Sequence, residues 1–351
     1  MYHDPRQSKT LVSLQVLYTF LASLLMIYHA TQHYNNYGNK ELFWNYFKFG
    51  SMGEDLLMVL MGFTVFYTSY HLIEKGRGYI EFMVTSLSRI FFVYWALIAI
   101  PGVIVWFINP GLHPSVANIK ADELWQMVVM WFGHPRVAII TWVLSHLVFF
   151  VIVFGLAILS KRFFYVWYAI LALSLLNLVD KLTVGMLPFG EGFWYKVFSP
   201  HNLEFAYGAA VYFLWKQGFT IERYKLFVVV ALGFFFTIGT LQSQGVFNFY
   251  DSRVIFYGAA ALLLTLSVVN YAQFLEETPK NIFVRLGEAE YIMLLIHGPI
   301  LSIVNAHIAV KYSFGWLITL ATIFMILTIS YWIRRKIEAP ALAYVHQPFE
   351  R

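Results

Sequence analysis

The stretch "LASLLMIYHATQHYNNYG" (Leu21–Gly38) decides how this chain is read. Its first half is hydrocarbon, its second half amide, imidazole and phenol, and His29 stands at the changeover. The apolar residues before His29 run back to Leu11, about 20 positions, enough for a helix to cross a ~30 Å hydrocarbon core. An imidazole at the end of such a helix either sits solvated at the interface or faces the inside of a bundle. The rest of the chain has to separate the two.

Of the 351 residues, 60% are hydrophobic and 12% charged. A soluble domain carries about 25% charged residues. Apolar runs recur over 11–31, 53–72, 86–108, 137–159, 163–180, 201–216, 225–242, 253–272, 290–309 and 314–334. Gly, Pro, Asn and charge clusters such as "EKGRG" (Glu74–Gly78) and "NPGLHP" (Asn109–Pro114) separate them. The expectation is an all-α polytopic membrane bundle of about ten spanning helices. It forms one domain over 1–351, with no soluble extra domain and with lipid as its outer solvent.

The absence of cysteine excludes disulfides, thiol nucleophiles and thiolate metal sites. The net charge of +5 comes from loop Lys and Arg, which suits membrane topology and does not call for nucleic acid. With the N-terminus in the cytoplasm, the cytoplasmic loops carry about twice the Lys and Arg of the outer ones, the positive-inside bias. Lys75, Arg77, Arg89 and Lys280 then lie inside, and Lys40, Arg136 and Arg253 outside. Both termini are cytoplasmic and His29 is near the outer face.

Ionisable groups inside a span mark candidate sites. His29 shares a helical stripe with Gln15, Tyr18 and Ala22. Asp55 opens the second run on the same outer side, and a carboxylate beside an imidazole fixes its tautomer for general-base work on a hydroxyl. The alternative is a solvated interfacial His and a helix-start Asp. Arg89 suits a phosphate, or else snorkels to the interface. His297 follows Arg285 by 12 residues, ~18 Å along one continuous helix, which predicts mid-depth. His29 and His33 stand four apart, half of a metal site, but the other histidines are scattered, so no metal is expected.

In order along the chain, the motifs resemble those of the membrane acyltransferase-3 family. "LASLLMIYHA" resembles its first-span segment ending in histidine. "FGSMGEDLLMVLMGFTVF" (Phe49–Phe66) is similar to its "G..GVDLFFVLSGF", and "SLSRIFFVYW" (Ser86–Trp95) to "RRLxRIxPxYW". "WVLSHLVFF" (Trp142–Phe150), "PHNLEFAYGAAV" (Pro200–Val211), "RLGEAEYIMLLIHGPIL" (Arg285–Leu301) and "IEAPA" (Ile337–Ala341) resemble the remaining pieces.

The resemblance implies transfer of an acyl group, usually acetyl, from acyl-CoA to a hydroxyl of a cell-envelope carbohydrate, in the bacterial cytoplasmic membrane. It implies His29 as the catalytic histidine with Asp55 as helper, and Arg89 as the acyl-CoA contact. Glu204, His297 and Tyr18 fall on the substrate side. Four positions depart from the pattern. Tyr18 replaces the first-span arginine, Met61 a serine, Ser86 the first arginine of a pair, and Leu147 a glutamate. Either Lys75 and Arg77 complete the donor site, or the chain is a degenerate member acting as an assembly partner. A transporter for a lipid-linked sugar is the reading without covalent chemistry.

Overall fold

Helix α1 (Pro5–Gly38) is 34 residues long and unbroken, about 51 Å, so it outreaches the hydrocarbon core. Its polar second half is therefore helical as well. The computed structural model describes residues 5–38, 42–130, 140–187, 192–246, 252–275 and 281–346. Lys40, Arg136 and Lys280 lie outside the described residues, as does the start of the run expected at 137.

After a 3-10 stretch (Phe43–Ser51) comes α2 (Met52–Lys75). It closes on Gly76, whose φ of 61° lets the chain turn at once into α3 (Tyr79–Tyr94). A π turn (Trp95–Ala99) joins α3 to α4 (Ile100–Ile108). Pro101 follows at once; it has no N–H and crowds the preceding turn, so the ladder slips by one residue there. A second π turn (Arg334–Glu338) precedes Pro340 for the same reason.

The short helices α5 (Pro114–Ala117) and α6 (Leu124–Val128) form an end cap. The Tyr94 hydroxyl donates to the Met127 carbonyl at 2.5 Å, and the Trp95 indole to that of Val128 at 2.8 Å. Then follow α7 (Thr141–Leu159), α8 (Phe164–Thr183), α9 (Gly192–Val197) and α10 (Asn202–Lys216). The chain continues with α11 (Tyr224–Ser243), α12 (Arg253–Gln273), α13 (Ile282–Gly287) and α14 (Glu290–His307). It ends on α15 (Gly315–Ile333) and α16 (Ala339–His346).

Nine helical stretches among the described residues are long and apolar enough to span, so the protein is an all-α polytopic bundle. The sequence suggested ten; the remaining apolar run is α10, which has only 15 residues but reaches from Glu204, gathered with Asp55 at the head of α2, to Lys216, paired with Glu74 at its foot. This short helix sits deep inside, against α2. A Cβ added at Gly208 would lie 2.1 Å from the Val59 carbonyl oxygen, and one at Gly62 would lie 2.4 Å from that of Phe205. Backbone touches backbone there, the small-residue packing that joins helices in lipid. Helices α1, α2, α12 and α14 are mostly buried, while α8, α11 and α15 face outward along most of their length.

The run from Arg285 to His297 is not one helix. It breaks between α13 and α14, where the Gly287 backbone is pressed against the Gln15 carbonyl of α1. His297 thus lies seven residues, about 10 Å, into α14. The expected ~18 Å along a continuous helix is corrected by this break.

Candidate active site

His29 is completely buried between α1 and α14. Its ring centroid is 5.1 Å from that of His297 and 6.4 Å from that of His33. Among the described residues neither His29 nitrogen has a partner in hydrogen-bond geometry, although the Gln32 side chain flanks the ring. His297 is also fully buried, and its Nδ1 lies 3.0 Å from the Met293 carbonyl. A carbonyl only accepts, so Nδ1 carries the proton and the unpartnered Nε2 keeps its lone pair. Outward from the pair, Tyr37 stacks on His33 at 5.8 Å, and the Tyr37 and Ser302 hydroxyls are 2.8 Å apart. The α1–α14 seam thus carries a polar track from the C-terminal end of α1 to His29. In the loop beyond it, burial pulls the pKa of His113 below its ordinary value.

Asp55 is not the partner of His29, and this corrects the pairing expected from sequence. Arg253, at the start of α12, takes both oxygens of Asp55: Nε donates to Oδ1 at 3.0 Å and a terminal nitrogen to Oδ2 at 2.6 Å. The same terminal nitrogen donates to the Ser51 carbonyl at 3.1 Å and to Glu54 at 3.2 Å. A buried carboxylate in a bundle requires a cation, and a guanidinium meets it with two parallel bonds. No hydrogen bond or ion pair joins Asp55 to His29 among the described residues.

Glu204 belongs to this second cluster. It is fully buried, and His201 Nδ1, in the turn just before α10, lies 2.9 Å from its Oε2. Trp142 of α7 donates its indole N–H to Glu54 at 3.3 Å. Lys196, 3% exposed, donates to the Trp142 carbonyl at 3.2 Å and lies 2.9 Å from His146 Nδ1. Asp55, His201 and Glu204 each bring one donor atom to within 4.8 Å of the others, so the fold gathers a set that sequence spacing left scattered. Those donors already face Arg253 and one another. Tyr28 separates the two clusters. Its ring is 4.7 Å from that of His29, while Glu54 and Arg253 lie within electrostatic reach of its hydroxyl.

Tyr18 is 11 residues from His29 on the same stripe, about 16 Å toward the N-terminal end of the bundle. Its hydroxyl is 3.0 Å from the Thr64 hydroxyl. Arg89 lies within electrostatic reach of Tyr18, Glu290, Tyr291 and Glu338. The Tyr291 hydroxyl donates to the Ile90 carbonyl at 2.7 Å, which fixes α14 to α3 beside Arg89. Lys75 and Arg77 are exposed on the α2–α3 turn, with Arg89 ten residues into α3, about 15 Å beyond its start. The three cations therefore stand in two tiers and not in one clamp.

Sequence reasoning missed Arg253, Glu54, His201 and Glu290. One signal was available for Arg253. The adjacent acids Glu54 and Asp55 at the head of a span require a nearby cation, and the outer loops hold only two arginines, Arg136 and Arg253. Nothing comparable pointed to Glu290.

These features define a polytopic membrane protein with a buried imidazole pair between the C-terminal half of α1 and α14, and exposed cations, Lys75 and Arg77, on the α2–α3 turn. The family model described as "Acyltransferase domain", acyltransferase-3, matches residues 12–335, and the chain belongs to that family. It is a membrane acyltransferase acting on hydroxyl groups. No curated protein and no solved structure matches it.

Proposed function

We propose that the chain moves an acetyl group from acetyl-CoA onto a hydroxyl of a cell-envelope carbohydrate, working in a bacterial cytoplasmic membrane with both termini inside. The observation that carries this reading is the His29–His297 pair, fully buried with nitrogens left unpartnered at the inner end of a polar seam. The stripe that holds His29 continues to Tyr18 beside Arg89, so a donor entering at the basic end is aligned with the base.

In this scheme Lys75 and Arg77 meet the outer phosphates of the donor, and Arg89 meets its inner part. The pantetheine arm then lies along the Tyr18–His29 stripe. A glycan hydroxyl enters past Tyr37 and His33. His29 takes the hydroxyl proton, the oxygen attacks the thioester carbon, and the C–S bond breaks. The proton passes from the His29 imidazolium to the departing thiolate, giving an ester and free CoA. Imidazole works well as both base and acid because its pKa lies close to neutral pH. His297, with Nδ1–H fixed on Met293, keeps its ring at 5.1 Å and shares the charge that His29 acquires. Glu204 and Asp55 act through Arg253 and Tyr28, holding the wall behind His29.

A second reading rests on Glu290 and Tyr18. One is an acid and the other a neutral phenol beside Arg89, where an anionic donor would favour cations. In that reading the chain is a non-catalytic family member assembled with other envelope proteins. Purified protein in lipid nanodiscs, given radiolabelled acetyl-CoA and candidate glycans, tests the choice. Label on glycan, lost in His29→Ala, supports the enzyme. CoA that neither binds nor turns over with any acceptor supports the partner.

A further inference from the structure

A cleft of about 660 Å³ opens on the far side of α1 from the site, a volume in the usual range for a bound small molecule. Leu17 and Phe20 of α1 line it, and they stand about 120° and 180° round the helix from His29. The cleft is therefore not a route to the imidazole pair. Val228 and Leu232 of α11 and Leu264 and Val268 of α12 complete its apolar walls.

Its mouth has a different chemistry. Lys225, exposed in the first turn of α11, is the charged residue of the lining among the described residues. Lys9 adds a second ammonium at the same rim, donating to the Leu275 carbonyl at 2.5 Å. Leu275 and Tyr271 belong to this end too. From the mouth, the α11 wall runs from Lys225 to Leu232 and the α12 wall from Leu275 to Leu264, roughly 10 Å and 16 Å. One leaflet of hydrocarbon is about 15 Å deep, half of a ~30 Å core. The cleft is thus as deep as one acyl chain of one leaflet, with two cations at headgroup level.

We propose that this cleft is a specific site for an anionic phospholipid of the leaflet on the N-terminal side, one acyl chain inserted between α1, α11 and α12 and its phosphate on Lys225 and Lys9. Basic residues near the surface draw anionic headgroups, and each buried methylene adds to the hold. A choline headgroup carries its own cation and gains less from the two lysines. The inference stands on the cleft alone and does not depend on the transfer chemistry.

The test is lipid retention. The full-length protein is exchanged into vesicles holding equal phosphatidylglycerol and phosphatidylcholine, repurified in detergent, and its bound lipid is read by native mass spectrometry. Phosphatidylglycerol is expected to dominate. Lys225→Gln and Lys9→Gln change polar side chains at the rim and leave the packing alone, so each is expected to weaken that preference about fivefold. Val228→Trp fills the cleft and is expected to abolish retention of both lipids, with helical content by circular dichroism unchanged. Equal retention of the two lipids, or an unchanged preference in the double lysine variant, overturns the proposal. So does full displacement by inorganic phosphate, which would mean a headgroup site without a chain. A dimer broken by Val228→Trp without any change in bound lipid would assign the cleft to a second copy and overturn it as well.

Discussion

Two buried polar groups lie on either side of Tyr28, and they differ in what their polar atoms face. Around Arg253, the guanidinium meets both Asp55 oxygens, Glu54 and the Ser51 carbonyl, and His201 lies against Glu204 Oε2, while Glu204 Oε1 has no hydrogen-bond partner among the described residues. Across Tyr28, both ring nitrogens of His29 and Nε2 of His297 have no hydrogen-bond partner among the described residues. Charge pairs that engage one another hold helices together, since breaking them leaves an isolated charge in a low dielectric. Imidazoles with lone pairs to offer are the ones able to take a proton from a substrate. In the proposed mechanism the difference separates a scaffold, which joins α2, α10 and α12, from the acyl-transfer chemistry assigned to the α1–α14 seam.

The sharpest way to break this division is to delete each half. His29→Ala is expected to lower acetyl transfer by about 10²–10⁴-fold, the usual worth of a positioned base, with thermal stability in detergent close to that of the parent. Arg253→Met is expected to act on the scaffold, costing about 3–5 kcal/mol of unfolding free energy by stranding Asp55 and Glu54. Adding Asp55→Asn should return part of that loss, and a reversible unfolding titration reads both. His297→Gln keeps a polar side chain near His29 but no imidazole, and a drop in kcat of about 10²-fold at unchanged KM is expected. Arg89→Gln should raise KM for acetyl-CoA about tenfold with a smaller effect on kcat, since a hydrogen bond to a charged group contributes about 1.5–3 kcal/mol. Lys75→Gln with Arg77→Gln, on an exposed turn, should raise KM only about two- to fivefold, and less at high salt.

Much of the fold was legible because a bilayer requires long apolar runs and punctuates them with polar turns. What was not legible came from contacts between distant segments. Arg253 and Asp55 are 198 residues apart, and at the edge of a span an arginine reads first as a residue reaching for the interface. The break between α13 and α14 depends on Gly287 meeting the α1 backbone, so the level of His297 was misjudged from spacing alone. Helix α10 is only 15 residues long, yet it runs alongside α2, from Glu204 in the Asp55 group to Lys216 paired with Glu74, with Gly208 and Gly62 in close backbone contact. His29 was not legible by itself, because at the end of a span a solvated interfacial imidazole fits the stripe as well; the resemblance singled it out, and its burial came from the packing of α14. Nor was its neighbour legible, because the order of motifs pointed to Asp55 and the third dimension supplied His297.

The most direct test is turnover per folded molecule of two proteins side by side: His29→Ala, and the charge-free pair Arg253→Gln with Asp55→Asn. Acetyl transfer is followed as label on glycan and normalised to the fraction still monodisperse in detergent. The division predicts a stable but inactive first protein, and a second that is less stable yet within about tenfold of parental turnover, because its base is intact. A His29→Ala protein that still transfers acetyl, or a folded Arg253–Asp55 variant that has lost all turnover, would place the chemistry on the other side of Tyr28.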